Sequence, residues 1–268
     1  MCLTDLRILS LGAGVQSSTV ALMMEKGLID KPDAAIFADT KSEPKAVMEW
    51  LEWLKTQLSF ALHIVSRGNL RQDTVDAVHG KYKYVTIPVY TVNAETGKKG
   101  LLRRQCTADY KIIPVNKKVR ELLGLKRYQH VKKGTEVEMV MGISYDEVSR
   151  MRTNQIKYIK NQYPLVDLKM RRQDCINWME DNNYPKPPRS ACTFCPFHSN
   201  EEWLHVKQNK SEWDEVVELD KAIRHATKRP EDEVFLHSSC KPIDEIDFEK
   251  KDPQLNMFEN ECEGMCGV

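Results

Sequence analysis

An apolar run that breaks at glycine and resumes as a helical pattern constrains this chain more than any other feature. Arg7-Ile8-Leu9-Ser10-Leu11 stops at Gly12, and after Gly14 the pattern switches to Ser17, Ser18, Val20, Ala21, Leu22 and Met23, ending near Gly27. The segment reads as strand, glycine turn, helix. The unit then recurs. Ala34-Ala35-Ile36-Phe37-Ala38 reads as a second buried strand, Val47, Leu51, Leu54 and Leu58 as a helix, Leu62-His63-Ile64-Val65 as a third strand and Val137–Met141 as a fourth. Strands alternating with helices imply right-handed βαβ units and a parallel sheet with helices on both faces. Tyr82 to Val92, followed by Asn93–Gly97, suggests a hairpin or an excursion outside that sheet. Ala108 to Leu123 reads as a helix interrupted near Pro114, and Arg171–Met179 and Ser211–Ala226 as later helices.

The 268 residues are enough for one large α/β unit and a smaller one. We expect a first domain over residues 1–168 and a cysteine-rich helical cap over 169–268. No apolar run reaches the roughly 18 residues of a membrane helix, and Asp5 and Arg7 interrupt the N-terminal stretch. The expectation is a cytoplasmic protein without a membrane partner. Net charge is +1, but its distribution is uneven: 19 Lys and Arg against 8 Asp and Glu between Glu95 and Arg172, and 3 against 11 between Glu231 and Glu263. A basic middle suits phosphates, of a nucleotide or a polynucleotide, and solvated helix faces would read the same way.

A turn between strand and helix exposes backbone N–H groups at the positive end of the helix dipole, so Ser10, Gly12, Gly14, Gln16, Ser17 and Ser18 are candidates to hold a phosphate. The turn is neither a G-x-x-x-x-G-K-[ST] loop nor a G-x-G-x-x-G fingerprint. Asp39 and Thr40, with Glu43, follow the second strand, where open α/β sheets bind ligands; capping of the helix after Pro44 is the structural alternative.

Eight cysteines are many for a reducing compartment, and two pairs are close. Cys192-Thr193-Phe194-Cys195-Pro196 has a spacing and proline common around iron–sulfur ligands, and the spacing also serves Zn²⁺. Cys262 and Cys266 are the second pair, enough with the first for four thiolates. Arg103, Arg104, Lys111, Lys117 and Lys118 surround Cys106; cations lower a thiol's pKa and attract a phosphate or sulfate. Cys2 and Cys175 have no clustered partner, and the scattered histidines read as ordinary polar residues.

The turn resembles the PP-loop of the adenine-nucleotide α-hydrolase superfamily, in the branch of phosphoadenylyl-sulfate reductases and related sulfur-transfer enzymes. Further segments fit in order: Phe37-Ala38-Asp39-Thr40, Cys106-Thr107 with Lys111 and Pro114, Gly142-Ile143-Ser144-Tyr145-Asp146-Glu147 with Arg150, and Tyr163-Pro164-Leu165. The resemblance implies a Rossmann-like (HUP-type) sheet and a nucleotide site that includes Asp39, Thr40, Gly142 and Arg150. It implies ATP or an adenylyl sulfate as the nucleotide, with Cys106 and Lys111 at the reacting centre. In the cluster-containing reductases a pattern like Cys106 with Cys192 and Cys195 holds iron and sulfide, Cys240 is then a fourth candidate ligand, and Glu261-Cys262 resembles the segment that carries the nucleophile. In the sulfur-transfer branch the implied partners are a sulfur donor protein and a nucleic acid. Where ATP-cleaving members have S-G-G-x-D-S this chain has Gln16, which supplies no anionic ligand to Mg²⁺, so metal-assisted cleavage would need Asp39 or another carboxylate. Adenylation followed by thiolation, reduction of an adenylyl sulfate, and a non-catalytic nucleotide-binding module with structural zinc are the three readings this leaves.

Overall fold

A computed structural model describes residues 5–80, 86–226 and 232–249. Five parallel strands form the main sheet: β1 (Leu6–Leu11), β2 (Ala34–Ala38), β3 (Ala61–Val65), β6 (Val137–Met141) and β7 (Ile159–Gln162), in the order β3-β2-β1-β6-β7. Between β3 and β6 the chain forms β4 (Tyr90–Val92) and β5 (Lys99–Leu101), an antiparallel hairpin joined by β8 (Glu233–Phe235) from the far end of the chain. The excursion expected before Asn93 is therefore a separate three-stranded sheet.

The helices are α1 (Val15–Glu25), α2 (Lys45–Gln57), α3 (Leu70–Val78), α4 (Ile113–Leu122), the single turn α5 (Pro164–Asp167), α6 (Arg172–Asp181), α7 (Asn200–Gln208) and α8 (Lys210–Ala222). A π turn over Ala108–Ile112 leads into α4, whose second residue is Pro114. In α2 the buried residues Val47, Trp50, Leu51 and Leu54 fall at positions i, i+3, i+4 and i+7, one face of a helix. In α7 the Ser199 hydroxyl accepts from the Glu202 N–H while the Glu202 carboxylate accepts from the Ser199 N–H, which fixes the helix start.

Alternation along the strands sorts the core into two layers. Leu9, Leu11, Ala35 and Phe37 point towards α1, α2 and α6, and Ile8, Ala34, Ile36 and Ala38 towards α4. Helices thus cover both faces, the Rossmann-like α/β arrangement. A further core joins Leu70, Ile87, Val89 and Tyr110 to Phe194, Trp203, Val216, Leu219, Val234 and Phe248. The division at residue 168 follows chain order; in space, Cys175 and Met179 of α6 belong to the first core.

Candidate functional site

β1 neighbours β2 on one side and β6 on the other, so the connections leave it in opposite directions and a crevice opens at the carboxyl ends of β1 and β6. There the chain turns through Gly12, Ala13 and Gly14 into α1. Ala13 occupies the left-handed region (φ 60°), and Gly14 is the N-cap. The Gly12 N–H donates to Ser17 Oγ at 3.1 Å, and that hydroxyl lies 3.4 Å from the Gly14 carbonyl. Gly142, just beyond β6, lets the first turn of α1 come close: a Cβ there would sit 2.6 Å from the Ser17 backbone. Ser10, Gln16, Ser17 and Ser18 are all buried. The Ser18 hydroxyl faces α2 and accepts from Trp50 Nε1 at 2.9 Å, tying the two helices together.

Gln16 spans the crevice. Its Nε2 donates to Glu147 Oε2 at 3.2 Å and to Ser144 Oγ at 3.5 Å, and Arg150 pairs with the same Glu147 carboxylate. The residue standing where a metal-binding Asp was sought is thus fastened to the segment after β6. Beyond β2, Asp39 is buried and engaged on both oxygens by Lys41, from its N–H at 2.6 Å and from Nζ at 2.7 Å.

The C-x₂-C loop crosses above these segments. Ser190 packs beside Gly14, where a Cβ on the glycine would lie 3.8 Å from the serine Cβ. The Thr193 N–H donates to the Ser42 carbonyl at 3.0 Å. Thr40 Oγ1 lies 3.1 Å from Glu43 Oε1 and 3.3 Å from Cys192 Sγ, and Lys111 Nζ lies 3.8 Å from the same Glu43 oxygen. The loop is held tight by Cys195 N–H to Cys192 O (2.9 Å) and His198 N–H to Cys195 O (3.1 Å). The buried His198 ring also hydrogen-bonds the Cys192 backbone; burial, and then the Arg189 cation, press its pKa down to about 3, so the ring is neutral.

Cys106, Cys192 and Cys195 line one cavity of about 30 Å³ together with Thr40, Arg104 and Lys111. Burial, and then the Glu43 carboxylate, push the Cys192 thiol well above its ordinary value, while Lys111 and the Thr40 hydroxyl pull the other way. Three thiols in one cavity are the right donors for iron or zinc. Among the described residues, however, no three Cys, His, Asp or Glu side chains converge closely enough to hold a metal ion. Cys262 and Cys266 lie outside the described residues, and so do the remaining candidate contacts of the C-terminal segment. Cys240 is not a wall of this cavity; its thiol lies 3.6 Å from the Ser238 carbonyl.

The sequence reading named the turn, Asp39, Thr40, Glu43 and Lys111, and Cys106 and Cys192. Ser190 and Ser42 carry no local pattern, since their part comes from a loop crossing the carboxyl ends of β1 and β2, and His198, expected to be an ordinary polar residue, is buried beside that loop. A serine two residues before C-x₂-C was the available signal.

No protein-family model matches the sequence, and no curated protein matches it significantly. Among solved structures the chain is similar to the phosphoadenylyl-sulfate (PAPS) reductase from Candida auris, determined as a phosphate complex. The two are 14% identical, the match covers 68% of this chain and 74% of that one, and the TM-score is 0.42.

Proposed function

We propose that the chain is an enzyme that binds an adenine nucleotide at the turn after β1 and uses it in sulfur transfer. The observation that carries the reading is the loop that sets Ser190 against Gly14 and Cys192 against Thr40, beyond the carboxyl ends of the neighbouring strands β1 and β2. Backbone N–H groups at the start of α1 would hold the phosphates, and Asp39 and Thr40 the adenosine side. Arg104 and Lys111 would draw an anion towards the thiols. In the reaction, an acceptor oxygen attacks the α-phosphorus of ATP and pyrophosphate leaves with the electron pair of the broken P–O bond. A sulfur nucleophile then displaces AMP, which carries off the acceptor oxygen. Iron and sulfide, or zinc, held by Cys192 and Cys195 with others of Cys106, Cys262 and Cys266, would supply thiolate-bound metal at this place.

Gln16 favours a second reading. A turn whose side chain is an amide bonded to Glu147 adds no carboxylate for Mg²⁺, which suits a nucleotide that is bound without cleavage at the α-phosphate. There a thiolate attacks the sulfur of an adenylyl sulfate, the S–O bond breaks and AMP leaves with its electron pair; a second thiol then attacks the resulting thiosulfonate and releases sulfite, the two thiols ending as a disulfide.

Titration calorimetry with ATP and with adenylyl sulfate, followed by product analysis, tests both. Pyrophosphate and AMP in equal amounts are expected for adenylation; sulfite and AMP from adenylyl sulfate in the presence of a dithiol, with no pyrophosphate from ATP, would select reduction. Gly14→Val should weaken either nucleotide at least tenfold, and unchanged affinity would overturn the site.

A further inference from the structure

We propose that the groove on the outer face of α4 binds a single-stranded polynucleotide, which would be the acceptor in the reaction above; the acceptor role rests on that reading, the binding does not. The groove encloses about 730 Å³ and its walls include Ile113, Lys117, Arg120, Lys126, Arg127 and Tyr128. Between Lys117 and Lys133 the chain carries seven Lys and Arg and one carboxylate, Glu121, which also lines the groove and lies 3.5 Å from Lys118. This is the charge excess expected where phosphodiesters lie.

Two further observations select a single strand. Tyr128 is 81% exposed, in a left-handed backbone conformation (φ 66°) that an aromatic residue seldom adopts. The Arg127 guanidinium stands 4.8 Å above its ring, leaving the rest open to solvent. An exposed ring with a cation beside it is a platform for an unstacked base, and a duplex, with its bases already stacked on one another, has none to offer. Ile113 is likewise 56% exposed, so the groove offers apolar as well as cationic contacts.

From Ile113 to Arg120 the helix rises roughly 10 Å, the span of about three stacked nucleotides, so the groove holds a short stretch of strand with one base on Tyr128.

Fluorescence anisotropy with labelled oligouridylate and oligothymidylate tests this, with duplex of equal length and polyglutamate as competitors. Both single strands should bind in a salt-dependent manner and resist competition by duplex and polyglutamate; a preference between them tells RNA from DNA. Lys126→Glu with Arg127→Glu should weaken binding at least tenfold and reduce the log–log salt slope by about 1.4, the loss of two single-strand phosphate contacts. Tyr128→Ala should weaken it about fivefold or more and Tyr128→Phe should not. The milder Arg127→Gln serves if the double charge reversal disturbs the fold, which ATP affinity and circular dichroism of each variant report. Binding that is equal in wild type and charge variants, or stronger competition by duplex or polyglutamate, overturns the proposal. Oligonucleotide binding without ATP turnover would leave it standing and remove the reaction instead.

Discussion

At Gly142 a single methyl group would have to displace the first turn of α1, because its Cβ would meet Ser17 Cα and N at 2.6 Å, and backbone does not yield as a side-chain tip does. We expect Gly142→Ala to lower the unfolding free energy by about 2 kcal/mol, in the range of overpacked cores, and to weaken nucleotide binding as the turn shifts. Urea titration and calorimetry on the same variant check both. His198 acts through protonation. The unfolded chain takes up a proton near 6.5, whereas the folded ring does so only near 3. A base held neutral by the fold costs nothing above 6.5; as the pH falls below that value the unfolded state alone is stabilised. Unfolding free energy should therefore drop by about 1.4 kcal/mol for each pH unit between roughly 6 and 3 from this residue. Denaturation curves at pH 7 and pH 5 for wild type and His198→Gln measure it, the expected sign being a smaller pH effect in the variant.

One helix is clamped by a buried ion pair. Asp220 near the end of α8 is fully buried, pairs with Arg224, and accepts from the N–H groups of Leu236 at 3.0 Å and Ile243 at 3.2 Å. It gathers α8, β8 and the following turn around one carboxylate. Removing it strands a buried cation and two donors, so Asp220→Ala should destabilise by about 3 kcal/mol, with Asp220→Asn milder, as measured by thermal or urea unfolding. Elements such as this differ in how far sequence betrays them. β1, β2 and β6 are apolar on both faces and plain to read. β7 is an edge strand of Ile, Lys, Asn and Gln, with one buried residue and no alternation to find. β8 is three residues long and owes its existence to Tyr90–Val92 some 140 positions away. Candidate site residues divide likewise. Gly12, Gly14, Ser17 and the C-x₂-C pair stand out because turn and thiol spacing are local, while Ser190 and Ser42 matter only once the loop has crossed the carboxyl ends of β1 and β2.

Taken whole, the molecule is interleaved. The second core draws Leu70, Ile87 and Tyr110 from before residue 168 and Trp203, Leu219 and Phe248 from after it, and α6 completes the first. A fragment of residues 1–168 should consequently leave two apolar surfaces bare and be recovered aggregated or partly folded, as light scattering and near-ultraviolet circular dichroism would register. No helix among the described residues is long and apolar enough to cross a membrane. The strand order carries a consequence for synthesis. β1 pairs with β2 within some thirty residues, yet its other edge waits for Val137–Met141, about 130 positions downstream. At ~5–20 residues per second, the central strand has one flank unpaired for roughly 6 to 26 seconds. Ribosome-stalled chains ending before β6 has cleared the exit tunnel should be cut rapidly by protease and be held by chaperones, with protection rising steeply once that strand is out. The glycine turn after β1, packed against Gly142, is on this account among the last parts of the nascent chain to reach its folded form.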